Sequence, residues 1–232
     1  MKLLVSPINK EEAIVAYNGG ADIIDVKNPK EGSLGANFPW VIKSVKEAIG
    51  SKKPISATIG DFNYKPGTAS LAALGAAVAG AQYVKVGLYD VQTEDQALEM
   101  LTNINKAVKD FDPSRKVVAS GYSDYKRINS ISPHLLPAIG KKAGVDVVMV
   151  DTGIKDGRST FEFMTEEELT QFTGSIRELG LESALAGTLK FEDLPTLKRI
   201  QPDIIGIRGM VCGGDRTAGI QQGLVEKLKK LI

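Results

Sequence analysis

VDVVMV, at residues 145–150, is apolar at every position except Asp146. A strand with one face in water alternates apolar and polar side chains, whereas a strand covered on both faces, as in parallel α/β sheets, is apolar throughout. Similar runs recur along the chain after small residues that turn it, as in GGADIIDV and GAQYVKV. The stretch therefore predicts a parallel sheet that is buried on both faces.

Eight apolar runs of this kind alternate with eight amphipathic segments over 232 residues, with no linker or low-complexity segment between them. The predicted strands are Leu3–Ser6, Asp22–Lys27, Pro54–Ile59, Tyr83–Val86, Lys116–Ser120, Asp146–Asp151, Glu182–Ala186 and Asp203–Arg208. The predicted helices are Lys10–Tyr17, Pro39–Ile49, Ser70–Ala79, Glu94–Lys109, Pro133–Ala143, Glu166–Leu179, Phe191–Ile200 and Gly219–Leu231. A (β/α)8 barrel typically has ~250 residues. We predict an α/β protein with a single (β/α)8 TIM barrel domain over residues 1–232.

The competing architecture is an open, doubly wound sheet. Such sheets usually carry G-x-G-x-x-G after the first strand, where this chain has SPINKEE. Eight even rounds of strand and helix also favour the closed barrel.

Composition narrows the possible partners and location. Twenty-nine basic and 28 acidic residues leave a formal charge of +1, which gives no electrostatic reason to expect nucleic acid or an anionic membrane. No apolar run of ~18 residues and no signal peptide is apparent, so we expect a cytoplasmic protein. The single cysteine, Cys212, and the single histidine, His134, form no zinc site, and we interpret both as structural.

Charged residues stand at the ends of several apolar strands. They are Asp25 and Lys27 at the end of strand two, Lys85 in strand four, and Asp151 at the end of strand six with Lys155 four residues on. In a barrel these strand ends form the catalytic face. Buried charges need partners, so a salt-bridge network without catalysis is the alternative interpretation. Lysine favours function, because it can lose its proton and attack a carbonyl where arginine cannot.

Strand alternation predicts the direction of these side chains. Asp25 and Lys27 share a face with Ile23, and Lys85 shares a face with Tyr83. If Ile23 faces the barrel interior, both charges follow it there. Burial and neighbouring ammonium groups would then lower a lysine pKa and make a nucleophilic amine.

Glycine-rich segments follow strands seven and eight, which is the common phosphate site of this fold. Arg216 is a further cation of this region. The candidate phosphate-binding residues are Gly187, Thr188, Arg208, Gly209, Gly213 and Gly214. Turn glycines without a ligand are the alternative interpretation. A third such segment, Asn28–Asn37, is here called the strand-two loop; it would either fold over the pocket or lie on the surface in water.

The residues alone therefore predict a barrel enzyme that forms a lysine Schiff base with a small phosphorylated carbonyl compound. They leave open whether Lys27 or Lys85 forms it. No metal and no organic cofactor is needed, because the imine itself accepts the electrons. We also expect a homo-oligomer, since barrels with exposed helix faces often assemble.

Five stretches resemble the (5-formylfuran-3-yl)methyl phosphate synthase family. They are DVKNPKEGSLGAN, KVGL, DTGIKDG, LAGTLK and GIRGMVCGGDR, and the likeness extends over essentially the whole chain. The resemblance implies a cytoplasmic lyase of methanofuran biosynthesis that condenses two molecules of glyceraldehyde 3-phosphate with loss of phosphate and water.

The same resemblance implies roles for individual residues. Lys27 would form the Schiff base, Lys85 would accept a proton, and Asp25, Asp151 and Lys155 would support them. The alternatives are a Schiff-base aldolase acting on small sugar phosphates and a non-catalytic barrel that binds a phosphorylated metabolite.

Overall fold

Short buried strands form the centre of the computed structural model, which describes residues 1–232. The strands are β1 (Lys2–Val5), β2 (Ile23–Val26), β3 (Ile55–Phe62), β4 (Tyr83–Leu88), β5 (Lys116–Tyr122), β6 (Val147–Asp151), β7 (Glu182–Leu185) and β8 (Ile204–Ile207). All neighbours pair in parallel, and β8 returns to β1 with Lys2 opposite Ile204 and Val5 opposite Ile207. The sheet is a closed barrel in chain order, so the predicted (β/α)8 fold is confirmed.

Helices alternate with the strands and cover the outside of the barrel. They are α1 (Lys10–Asn18), α2 (Pro39–Ile49), α3 (Pro66–Val78), α4 (Glu94–Phe111), α5 (Leu136–Ala143), α6 (Glu166–Glu178), α7 (Leu194–Ile200) and α8 (Gln222–Leu231). Thr165 and Glu168 form a capping box at the start of α6, which satisfies two otherwise unpaired amides. None of the helices has the length and apolar character that crossing a membrane requires.

Two apolar cores hold these layers together. A cluster of 53 buried residues lies between the sheet and the helices, and a separate cluster of nine fills the barrel. The inner cluster contains Ile23 and Tyr83. The side-chain directions predicted from strand alternation are therefore correct, and the charges on the same faces point into the barrel.

One hydrogen bond recurs at the N-terminal end of the barrel. The residue just before each even-numbered strand accepts the N–H of a residue in the preceding odd-numbered strand. The four bonds run from Leu3 to Asp22, from Ile55 to Gln82, from Val117 to Asp146 and from Ser183 to Asp203, at 2.8–2.9 Å. These polar side chains satisfy strand amides at the end of the barrel opposite the catalytic face.

The element boundaries differ from the predicted ones in ways that matter below. β3 extends to Phe62 rather than Ile59, and β5 extends to Tyr122 rather than Ser120. α3 begins at Pro66, because proline fits the first position of a helix, where no amide hydrogen is needed.

Candidate active site

A buried ion pair lies inside the barrel below its C-terminal end. Lys85 Nζ donates to Asp25 Oδ2 at 2.7 Å, and the two side chains are 2% and 0% exposed. Asp25 also accepts hydrogen bonds from the hydroxyls of Ser6 at 2.9 Å and Ser56 at 2.6 Å. Three donors compensate for the desolvation of the carboxylate, which would otherwise cost several kcal/mol.

Lys27 lies above this pair and makes one weak hydrogen bond, from its Nζ to the Ser33 carbonyl at 3.3 Å. Its side chain is 7% exposed. Burial is the largest influence on this amine, and with the ammonium groups of Lys155 and Lys85 it lowers the pKa of Lys27 from 10.5 to about 7. Asp151 acts in the opposite direction. A pKa in this range leaves a substantial fraction of the Lys27 amines neutral at pH 7.

Asp151 lies at the end of β6 and is paired with Lys155. Lys155 Nζ donates to Asp151 and to the Thr152 hydroxyl, the latter at 2.9 Å. Burial acts to raise the pKa of Asp151, but the positive charges of Lys155 and Lys27 outweigh it and hold that pKa below its ordinary value. Asp151 is thus a fixed negative charge beside the Lys27 amine.

A cavity of about 240 Å³ opens above these groups at the C-terminal ends of the strands. Four of the five predicted catalytic residues, Lys27, Lys85, Asp151 and Lys155, line it. Asp25 does not, although its hydrogen-bond partner Ser6 does. The structure therefore brings the predicted set together, with Asp25 one layer deeper than the others.

The loops after β7 and β8 form one wall of this cavity. Gly187, Thr188, Gly209 and Gly214 line it, and Gly213 lies beside them in the loop. Gly187 and Thr188 have φ values of 97° and 51°. A β-branched residue rarely adopts such a φ, and strain of this kind concentrates at ligand-binding positions. The amides of these two residues donate to no backbone carbonyl and remain available for an anion.

Arg208 lines the same cavity but has no hydrogen to offer a ligand. Its guanidinium donates to the carbonyls of Ser6, Arg216 and Ala218 and to both carboxylate oxygens of Glu12. These bonds use all five N–H groups of an arginine. These contacts favour a role for Arg208 in fixing the loop over the predicted role in binding phosphate. Arg216 also lines the cavity and donates only to the Gly32 carbonyl, at 3.2 Å.

Comparisons with known proteins identify the family of this chain. Residues 3–229 match the profile of a family described as 4-HFC-P synthase. The chain belongs to the 4-HFC-P synthase family. A Methanosarcina barkeri protein named (5-formylfuran-3-yl)methyl phosphate synthase is 78% identical over 228 residues, which cover 98% of this chain and 97% of that protein. A protein of the same name from Archaeoglobus fulgidus is 58% identical over 233 residues, covering 100% and 99% of the two chains.

Among solved structures, a protein described as KGPDC from Streptococcus mutans superposes with a TM-score of 0.67. The match covers 99% of this chain and 96% of that one, at 16% identity. At this identity the likeness concerns the barrel alone. It shows that this chain shares its barrel architecture with other proteins.

Part of the strand-two loop in this 4-HFC-P synthase family member packs against the barrel, although its residues Lys30 and Glu31 are exposed. Its residues Ser33 and Gly35 are buried. Ser33 Oγ donates to the Thr152 carbonyl at 2.7 Å, and Thr58 Oγ1 donates to the Gly35 carbonyl at 2.6 Å. The loop is hydrogen-bonded to the middle of β3 and to the residue after β6, and its Ser33 carbonyl lies against the Lys27 amine.

Sequence reasoning missed two polar residues at the same end of the barrel, Asp61 and Tyr122. Both lie just past the predicted strand ends at Ile59 and Ser120, so the inspection of strand ends stopped short of them. Extending the predicted strands three and five by two residues each would have included both residues.

Cys212, interpreted as structural, is buried, and burial raises the pKa of its thiol to about 11. No group of three or more His, Cys, Asp and Glu side chains is arranged to hold a metal ion.

Proposed function

We propose that this chain is a (5-formylfuran-3-yl)methyl phosphate synthase of methanofuran biosynthesis. It condenses two molecules of glyceraldehyde 3-phosphate through a lysine Schiff base and releases one inorganic phosphate and two waters. Membership of the 4-HFC-P synthase family supports the product. One combination of features supports the mechanism above all others: a buried amine with a pKa of about 7 lines a cavity beside the glycine-rich loops after β7 and β8.

Lys27 is the proposed nucleophile. Its neutral amine attacks the aldehyde carbon of one triose phosphate, a C–N bond forms, and the carbonyl oxygen leaves as water to give a protonated imine. Geometry favours Lys27 over Lys85, because Lys85 is held in an ion pair at 2.7 Å, whereas Lys27 makes a single long bond to a carbonyl.

Lys85 is the proposed proton acceptor. The protonated imine acidifies the adjacent C–H bond, and removal of that proton gives an enamine. To act as a base, Lys85 first releases a proton, for which Asp25 is the hydrogen-bonded acceptor. The enamine then either expels phosphate through cleavage of its C–O bond or forms a carbon–carbon bond with the second triose. Ring closure, two losses of water and hydrolysis of the imine give the furan.

The two phosphates need two anion sites. The amides of Gly187 and Thr188, with the Arg216 guanidinium, are the proposed first site, since backbone donors and arginine suit phosphate. Lys155 and the strand-two loop are proposed to bind the second. Asp151 keeps Lys155 in place and would accept protons during the dehydrations.

The test combines product formation with trapping. We expect glyceraldehyde 3-phosphate to give a furan absorbance band together with free inorganic phosphate. Borohydride added during the reaction should fix a triose adduct, which peptide mass spectrometry should locate on Lys27. Lys27→Arg should abolish adduct and product, and Lys43→Arg, at an exposed site on α2 away from the cavity, should retain both.

The other outcomes identify other functions. An adduct without phosphate release would indicate an aldolase, and no adduct at all would indicate a binding protein. Full turnover of Lys27→Arg would show that the Schiff base forms on another residue.

A further inference from the structure

A hydrogen-bonded cluster outside the cavity links β3, β5 and the strand-two loop. The Tyr122 hydroxyl donates to Asp61 Oδ1, and the Leu34 amide donates to Asp61 Oδ1 and Oδ2 at 3.2 and 3.0 Å. Tyr122 is fully buried. Neither Asp61 nor Tyr122 lines the cavity, so the proposed reaction gives them no direct role.

Two glycines make room for this cluster. A Cβ on Gly87, in β4, would lie 2.0 Å from the Tyr122 hydroxyl and 2.8 Å from Asp61 Oδ1. A Cβ on Gly32, where φ is +135°, would lie 2.2 Å from Asp61 Oδ2. Any side chain at either position would displace Asp61 or Tyr122. The close approach thus depends on glycine both in the barrel wall and in the loop.

The cluster is connected to the Lys27 nitrogen through the strand-two loop. Asp61 contacts Gly32 and binds the Leu34 amide, so it holds the residues on both sides of Ser33. The Ser33 carbonyl is the only hydrogen-bond acceptor for Lys27 Nζ. A shift of this loop would therefore remove that acceptor and open the amine to water.

Tyr122 is a dependable donor in this arrangement. Burial, reinforced by the negative charge of Asp61, holds the pKa of the Tyr122 phenol well above its ordinary value, so the hydroxyl keeps its proton. Burial also raises the pKa of Asp61, although the hydrogen bonds from Tyr122 and Leu34 oppose this.

We propose that Asp61 and Tyr122 are positioning residues that fix the Ser33 carbonyl as the hydrogen-bond acceptor of the Lys27 nitrogen, first in the free amine and then in the protonated imine. A protonated imine carries one N–H, and a carbonyl held at that point orients it relative to Lys85. The role in the imine rests on the proposed function, whereas the role in the free amine does not.

The direction in which the Lys27 pKa changes when Asp61 is removed separates a positioning role from a purely electrostatic one. The charged groups that act on Lys27 are Asp151 and Lys155 at β6, Lys85 in β4 and Asp25 in β2. If Asp61 acted on Lys27 only through its charge, its removal would lower the pKa of the amine. If Asp61 keeps water out by holding the loop, its removal raises that pKa toward 10.5, because hydration favours the charged form.

The experiment measures the pH dependence of reductive methylation of Lys27 by formaldehyde and cyanoborohydride, with peptide mass spectrometry as the readout. We expect a midpoint near 7 for the unmodified protein. In Tyr122→Phe and Asp61→Asn it should rise by about one pH unit or more. Tyr89→Phe is the matched control, because its ring lies edge-on to Tyr122, at 5.8 Å between centroids, and its hydroxyl binds no group of the chain.

Tyr122→Phe keeps the aromatic ring and is expected to fold. It therefore provides the test if Asp61→Asn does not fold. An unchanged or lowered midpoint in Tyr122→Phe, even with a lower melting temperature, would overturn the proposal. Methylation needs no triose phosphate, so its result stands if the proposed reaction is wrong. With glyceraldehyde 3-phosphate, kcat should fall in both variants while KM changes little.

Discussion

The two ends of the barrel carry the same kind of ion pair in opposite surroundings. Near the C-terminal end, Lys85 and Asp25 meet at 2.7 Å with side chains 2% and 0% exposed. At the N-terminal end, Lys229 and Asp22 meet at 2.6 Å with side chains 37% and 24% exposed. Water screens the Lys229–Asp22 pair, which stabilises the fold by about 0–1 kcal/mol. The Lys85–Asp25 pair is buried, where either charge without its partner would cost several kcal/mol.

This contrast separates charges that serve the fold from the charges to which we assign the proposed chemistry. Asp22 accepts a hydrogen bond from the Leu3 amide and forms ion pairs with Lys53 and Lys229. It therefore satisfies a backbone donor, and the two lysines neutralise its charge. Lys27 does neither: it is buried, weakly bonded and partly neutral. A residue that costs stability without satisfying the backbone marks the functional end.

The largest effect is expected for Lys27→Met. We expect turnover to fall about 1,000-fold or more, since the proposed nucleophile is gone. Stability at pH 7 should rise by about 1–2 kcal/mol. The folded-state pKa of Lys27 is lowered, so between pH 7 and about 10.5 the unfolded chain binds the extra proton, and wild-type stability rises with pH through that window.

Urea unfolding at pH 7 and pH 10 measures this gain, which should shrink at the higher pH. A Lys27→Met protein less stable than the wild type at pH 7 would contradict the assignment of a destabilising amine.

The paired carboxylates provide the second test. Asp25→Asn should destabilise the protein by about 3–5 kcal/mol, because Lys85 is left buried without a counter-charge. Asp22→Asn should cost about 1 kcal/mol, since its lysines reach water. Chemical denaturation of both variants makes the comparison, and equal losses would remove the distinction between the two ends.

Glycines at the two ends provide a third contrast. Gly187→Ala places a Cβ 2.2 Å from Thr160 Oγ1 and 2.9 Å from the Thr152 amide, so the loop after β7 must move. We expect KM to rise about tenfold, which is within the 1–3 kcal/mol of such strain. Gly180→Ala also has a positive φ, of 73°, but meets nothing within 4 Å. Steady-state kinetics should show an unchanged KM for that control.

The pH dependence of imine formation tests the neutral amine directly. The rate of borohydride trapping should rise about tenfold between pH 5 and pH 6 and less than about twofold between pH 7 and pH 8, following a pKa of about 7. The measurement is single-turnover trapping on peptides that contain Lys27. A rate still climbing tenfold per unit above pH 9 would mean that the amine is not desolvated.

The smallest effect is expected at the N-terminal end. Lys229→Ala should change the unfolding free energy by less than about 1 kcal/mol and leave kcat and KM unchanged, because Asp22 retains Lys53 and the Leu3 amide. Thermal unfolding and kinetics measure it. A large loss of activity in Lys229→Ala would show that the N-terminal end of the barrel affects the active site, which would contradict the distinction between the two ends.

The sequence by itself determined the barrel and the direction of its charges. Both follow from local periodicity: apolar runs predict strands buried on both faces, and alternation sends Asp25, Lys27 and Lys85 to the side of Ile23 and Tyr83. The backbone geometry of a strand dictates this pattern wherever the strand lies. Helix caps such as Thr165 were predictable for the same reason, since the donor and acceptor are only three residues apart.

Only the tertiary structure decided which groups are free to act. The sequence offered Arg208 as a phosphate ligand, but residues as distant as Glu12 use its donors. It left Lys27 and Lys85 equivalent, and they differ because Asp25 pairs with one while Ser33 covers the other. Asp61 and Tyr122 meet across 61 residues of chain. Hydrogen bonds and burial between distant segments arise only when the barrel closes, and they control the protonation of an amine.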